Sequence, residues 1–127
     1  MRIRPIALCL GLGVTPGLAL TAHAEYDVTV LQDVGSQGYS EPYAINAPGQ
    51  SVGHSAGDAV LWSPSGKATV LQDAGGRGAS VAFAVNDAGW SVGYSYTASR
   101  REEAMLWSPS GKAIVLQDVG GQGLAAR

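Results

Sequence analysis

The chain has 127 residues, 46% of them hydrophobic and only 14% charged, with 18 Gly, 6 Pro, one Cys and a formal net charge of −2. That length fits a single domain, and ample apolar content with few charges excludes an intrinsically disordered chain. The slight acidity also excludes a broad basic surface for nucleic acid.

The first element is a helical signal peptide over residues 1–24. Arg2 and Arg4 form a basic start, residues 6–20 form an apolar run, and Ala22-His23-Ala24 supplies the small-x-small pattern that signal peptidase accepts. Cleavage is expected after Ala24, which places the protein outside the cytoplasm, secreted or periplasmic. The apolar run is shorter than the roughly 20 residues of a transmembrane helix, so no membrane span is expected after cleavage. Cleavage removes Cys9 and His23, so residues 25–127 hold no thiol and His54 as the only histidine. It also removes Arg2 and Arg4, leaving 6 Lys+Arg against 10 Asp+Glu and a net charge of −4.

The rest of the chain repeats itself. Val30-Leu31-Gln32-Asp33 returns as Val70-Leu71-Gln72-Asp73 and as Val115-Leu116-Gln117-Asp118, at offsets of 40 and then 45 residues. Leu61-Trp62-Ser63-Pro64-Ser65-Gly66-Lys67-Ala68 recurs unchanged over residues 106–113, and Ser51-Val52-Gly53 recurs as Ser91-Val92-Gly93. The five extra residues fall within 95–103, and both flanks stay in register, which marks a surface loop.

Taken in chain order, a lone strand is expected over residues 28–31. The first unit, approximately 39–78, then opens with the strand Tyr43-Ala44-Ile45-Asn46 and the turn Ala47-Pro48-Gly49-Gln50. Ser51-Val52-Gly53-His54-Ser55 is a second strand, in which Gly53 marks a close backbone approach or a bulge. Residues 59–62 form a third, Pro64-Ser65-Gly66-Lys67 a turn, and residues 68–71 a fourth. The second unit, approximately 79–123, repeats the pattern. Since no long window has helical spacing free of Gly and Pro, the expected class is all-β. Four short antiparallel strands in about 40 residues match a propeller blade.

These words in this order (Ala-Ile/Val-Asn, Val-Gly-His/Tyr-Ser, Leu-Trp-Ser-Pro-Ser-Gly-Lys, Leu-Gln-Asp-Val/Ala-Gly) are similar to the bacterial extracellular HAF repeat family over residues 28–123. The namesake His-Ala-Phe is replaced here by Asp58-Ala59-Val60 and Glu103-Ala104-Met105. The resemblance implies secretion and a repeated β fold, and it implies no catalytic residues. Two units form an incomplete array, since propellers close with typically 4–8 blades. Open sheet edges then invite a homo-oligomer, a small sandwich, or the status of a shortened fragment of a longer repeat protein.

Chemistry-bearing motifs are sparse. Gly53-His54-Ser55-Ala56-Gly57 matches the nucleophile elbow of hydrolases, but it lies between strands and no histidine follows Ser55, so a hydrolase is the remote alternative. Residues 73–80 resemble a calcium repeat, with Ser80 where the ligand carboxylate belongs. Asp33, Asp73 and Asp118 occupy equivalent places and suit Asx turns, or a carboxylate ring around a cation if blades assemble. Asn46 and Asn86 read as turn residues. A single histidine without cysteine makes no transition-metal centre, and no cofactor is expected. Trp62 and Trp107 read as core. Trp90 follows a turn glycine and reads as exposed, near Tyr94, Tyr96, Arg100 and Arg101. Those five residues form the candidate ligand site, with a glycan or a protein as partner. The sequence therefore reads as a non-enzymatic binding or structural module.

Overall fold

The computed structural model describes residues 25–36, 38–75 and 79–119. The leader read over residues 1–24 and the chain after Val119 lie outside the described residues. Eight strands make two antiparallel sheets of four, and no helix occurs among the described residues. The first sheet is β1 (Ser40–Ile45), β2 (Ser51–Ser55), β3 (Asp58–Trp62) and β4 (Ala68–Val70), side by side in that order. The second repeats it with β5 (Ser80–Val85), β6 (Ser91–Tyr96), β7 (Glu102–Trp107) and β8 (Ala113–Val115). The all-β expectation and the four-strand unit are both present.

Local chemistry explains the strand ends. Asn46 closes the β1–β2 turn by accepting the Gln50 N–H on its side-chain oxygen at 2.7 Å, and Asn86 accepts the Trp90 N–H at 2.9 Å in the second unit. Ser63 and Ser108 do the same for Lys67 and Lys112, at 3.1 and 3.2 Å. A side chain that satisfies its own turn leaves no backbone donor stranded. The inserted residues adopt this same turn: Thr97 Oγ1 accepts the Arg101 N–H at 3.0 Å, and Arg100 sits at φ 67°. The insertion is the surface loop that the register implied.

β1 begins at Ser40, three residues earlier than the sequence suggested, because Pro42 is accommodated by a bulge. The register slips between Pro42 and Ala44, and again between Ala82 and Ala84 in β5. Tyr43 and Phe83 are the extra residues, and proline is tolerated where a ladder is already interrupted. Gly53 and Gly93 face these bulges. A Cβ on either would overlap the carbonyl oxygen of Glu41 or Val81. Of the two alternatives read for Gly53 the close backbone approach holds, and the bulge lies opposite it on the partner strand.

Alternation along the strands gives each sheet two faces. We call front the face of Gly53, Val60 and Trp62 (Gly93, Met105 and Trp107 in the second sheet), and rear the face of Val52, Ala59 and Leu61 (Val92, Ala104 and Leu106). The core lies where the rear of the first sheet meets the front of the second. Val52, Ala59 and Leu61 pack there with Ala82, Met105 and Trp107, and Leu71 joins them. Trp62 and Trp107 are fully buried, as expected of core residues.

The lone strand expected over residues 28–31 forms no ladder. Its counterpart β4 is a strand because β3 stands beside it, whereas no described strand flanks residues 28–31. The segment is nonetheless placed by the repeat's own contacts. Gln32 N donates to Gly66 O as Gln72 N donates to Gly111 O, at 2.8 and 2.9 Å. The Gln32 and Gln72 side chains accept from Ala68 N and Ala113 N, both at 2.9 Å.

Candidate functional site

Two bulges and two strand positions create a feature that the sequence reading did not assemble. Tyr43 and Phe83 leave their ladders at the bulges, beside His54 of β2 and Tyr94 of β6. Six aromatic side chains then run without a gap across both sheets: Tyr39, His54, Tyr43, Phe83, Tyr94 and Tyr96. Neighbouring ring centroids are 5.3, 5.7, 5.5, 5.6 and 5.5 Å apart. The Tyr43–Phe83 contact joins one sheet to the other. Tyr39, Tyr43 and Phe83 are each about half exposed, so the strip presents ring faces and edges to solvent.

Carboxylates hold the strip at two places, at its second and third rings and at its Tyr96 end. Tyr43 Oη donates to Glu41 Oε1 at 2.7 Å, and His54 Nε2 contacts the same oxygen at 3.2 Å. Tyr96 Oη donates to Glu102 Oε2 at 3.2 Å. These bonds favour the ionised carboxylate and the neutral phenol. Glu41 is accordingly held below its usual range, first by Tyr43 and then by His54. Tyr43 is pushed up to about 12 by its bond to Glu41, and Tyr96 is raised by its bond to Glu102.

The five residues named from sequence divide between separate places. Tyr94 and Tyr96 belong to the strip. Tyr96 and Arg100 line a hollow of about 550 Å³ with Ala79, Thr97 and Ala98. Arg101 points elsewhere, within 3.7 Å of both Glu103 and Asp118. Trp90 is exposed, as expected, but it lines a different hollow on the rear of the second sheet with Ala84, Val92 and Leu106. Four strip members, Tyr39, Tyr43, His54 and Phe83, were not singled out as a group by the sequence. The available signal was the repeat itself, since Tyr43 aligns with Phe83 and His54 with Tyr94.

The remaining motifs are engaged locally. Ser55 is fully buried, and its Oγ accepts from Val34 N and from Ser40 Oγ, each at 2.9 Å. Its counterpart Ser95 accepts from Ala74 N, also at 2.9 Å. Both hydroxyls anchor the segment that crosses the front of their sheet. Asp73 Oδ1 accepts from Gly75 N at 2.8 Å in an Asx turn, and Asp33 accepts from Ser40 Oγ. Among the described residues, no group of three or more His, Cys, Asp or Glu side chains is placed to hold a metal ion. No described helix is long and apolar enough to cross a membrane. Comparison with protein-family models, with curated proteins and with solved structures gives no match.

Proposed function

We propose that this is an exported, non-enzymatic β-repeat protein that binds a glycan along its aromatic strip. The observation that carries the reading is the unbroken run of six rings across both sheets, from Tyr39 to Tyr96. Aromatic side chains held on a sheet form a preordered apolar surface on which sugar rings stack, and preordering lowers the entropic cost of binding. Glu41 and Glu102 stand beside the rings and retain acceptor oxygens for hydroxyl groups. Export follows from the leader at residues 1–24, and the repeat words support membership of the HAF-like group. The four-stranded units act as propeller-type blades.

The test is a glycan array followed by calorimetry on any hit, comparing the wild type with the Tyr43→Ala/Phe83→Ala double variant. The expected result is saturable glycan binding that the double variant loses while its circular dichroism is unchanged. Binding that survives the double variant, or an array without a hit, rejects the reading. A hydrolase reading predicts that Ser55 reacts with a phosphonate probe, and the buried hydroxyl gives no support for it.

A further inference from the structure

The second sheet exposes the face that the first sheet buries. Val52 on the rear of the first sheet is 0% exposed, whereas its repeat counterpart Val92 is 41% exposed. Leu71 is 1% exposed and its counterpart Leu116 is 38% exposed. Ile114, the counterpart of Thr69, is exposed as well. This apolar surface is the repeat counterpart of the one that packs within the chain, and among the described residues no segment covers it.

The complementary surface stands at the other end. Thr29, Leu31, Ile45, Gly49, Ser63 and Pro64 line part of an apolar hollow of about 390 Å³ on the front of the first sheet. Ile45 is exposed there, while its counterpart Val85 packs against the core. The internal junction identifies what fits this hollow. At that junction Gln50 reaches over Gly89, and Asn46 Nδ2 donates to Asn86 O at 2.8 Å. Trp90 holds the position of Gln50, and Gly49 and Pro64 hold the positions of Gly89 and Pro109.

We propose that a second copy of this chain docks head to tail, its first sheet covering the rear of the second sheet, with Trp90 seated in the hollow beside Gly49 and Pro64. Asn86 Nδ2 then donates to Asn46 O of the next copy, repeating the internal bond. The Ala47 N to Asp87 Oδ1 bond of the internal junction has no counterpart, since alanine stands where an aspartate is needed. One element is duplicated at such a junction. Residues 29–34 of one copy and 114–119 of the other claim the same place on the front of the first sheet. Residues 29–34 of the copy that offers its first sheet, which form no ladder, are the ones displaced. Gln117 takes over the contacts of Gln32, and Ile114 and Leu116 replace Thr29 and Leu31 as walls of the hollow. The contact joins different surfaces on the two copies, so it propagates into a ring or a chain of copies. It also continues the aromatic strip, placing Phe83 of one copy beside Tyr43 of the next.

The test uses two single-cysteine variants of the full chain, Ala47→Cys and Asp87→Cys, each also carrying Cys9→Ser. Within one chain Ala47 N and Asp87 Oδ1 are 3.0 Å apart, so these positions meet across a junction. Mixed and oxidised, the two variants are expected to form a disulfide-linked heterodimer that neither forms alone. Adding Trp90→Asp to the Asp87→Cys chain is expected to weaken association by about 30-fold, the roughly 2 kcal/mol of a well-seated interface tryptophan. Cross-linking no greater in the mixture than in either variant alone, together with a monomeric mass by light scattering at all concentrations, overturns the proposal. Equal cross-linking with and without Trp90→Asp overturns it too. Glycan binding is measured separately, so failure of one reading does not decide the other.

Discussion

Trp62 Nε1 donates to the carbonyl oxygen of Gln32 at 2.8 Å, thirty residues earlier in the chain, and so ties a segment without a ladder of its own onto the first sheet. Trp107 and Gln72 make the same bond at 2.7 Å, where the segment is the connection between the sheets. The indole thus serves twice, filling the front of its sheet and holding the chain that crosses it. Trp62→Phe keeps most of the buried ring and removes the donor. It is expected to cost about 1–3 kcal/mol, the usual range for orphaning one partner of a buried hydrogen bond. Urea unfolding monitored by circular dichroism checks this, and an unchanged midpoint contradicts it.

Gly53 and Gly93 are fixed by their neighbours across the bulges. Gly53→Ala places a methyl group on the Glu41 carbonyl, and backbone cannot move aside as a flexible side chain can. The expected cost is at or above the upper end of the ~1–3 kcal/mol typical of overpacking. Gly75 is the control, with φ +91° and, among the described residues, nothing within 4 Å of an added Cβ. Gly75→Ala carries only the left-handed backbone penalty, about 1–2 kcal/mol. Equal midpoints for the two variants contradict the assignment.

The repeat made the unit, its turns and its tryptophan core legible, because each rests on local residues: Asn46 and Asn86, Ser63 and Ser108, Trp62 and Trp107. The strip was only half legible. Tyr43 and Phe83 lie two residues after Glu41 and Val81, on the face of His54 and Tyr94, and the bulge shifts only Ala44 and Ala84 beyond them. Which ring of one sheet meets which ring of the other depends on tertiary packing that no local word encodes. Trp90 is exposed, as its place after a turn glycine suggests, and it lines a different hollow from Tyr96 and Arg100. Proximity along a strand does not show which residues share a hollow. Residues 28–31 carry a strand's sequence without a strand's partner, and pairing is what makes a strand.

Ser91 Oγ is buried with no hydrogen-bond partner among the described residues. An unpaired buried hydroxyl is a standing cost, so Ser91→Ala is expected to be neutral or to stabilise by up to about 1 kcal/mol. Ser95→Ala four residues later is expected to destabilise, because Ser95 Oγ accepts the Ala74 N–H. Thermal melts of both variants settle the point. A loss of stability for Ser91→Ala shows that its hydroxyl has a partner after all.

The Tyr43–Glu41 pair makes the strip's response to pH predictable. Tyr43 is raised from 10.0 to about 12 by its bond to Glu41, so the contact is complete below pH 10 and is lost as pH rises through about 12. Glu41 is lowered from 4.5, chiefly by Tyr43 and then by His54, so its contribution is complete above pH 4.5 and is lost as pH falls through its folded value. Between those limits the pair is insensitive to pH. The chain has five tyrosines, and phenolate absorbance is expected to show a late fraction, above the ordinary tyrosine value of 10.0, that belongs to Tyr43 and Tyr96. Glu41→Gln removes the charge that holds the Tyr43 proton and returns that tyrosine toward 10, while Tyr96, bonded to Glu102, remains late. Glu102→Gln has the reciprocal effect. If the wild type shows no late-ionising phenol, the carboxylates do not hold Tyr43 and Tyr96, and these rings are not preordered for a ligand.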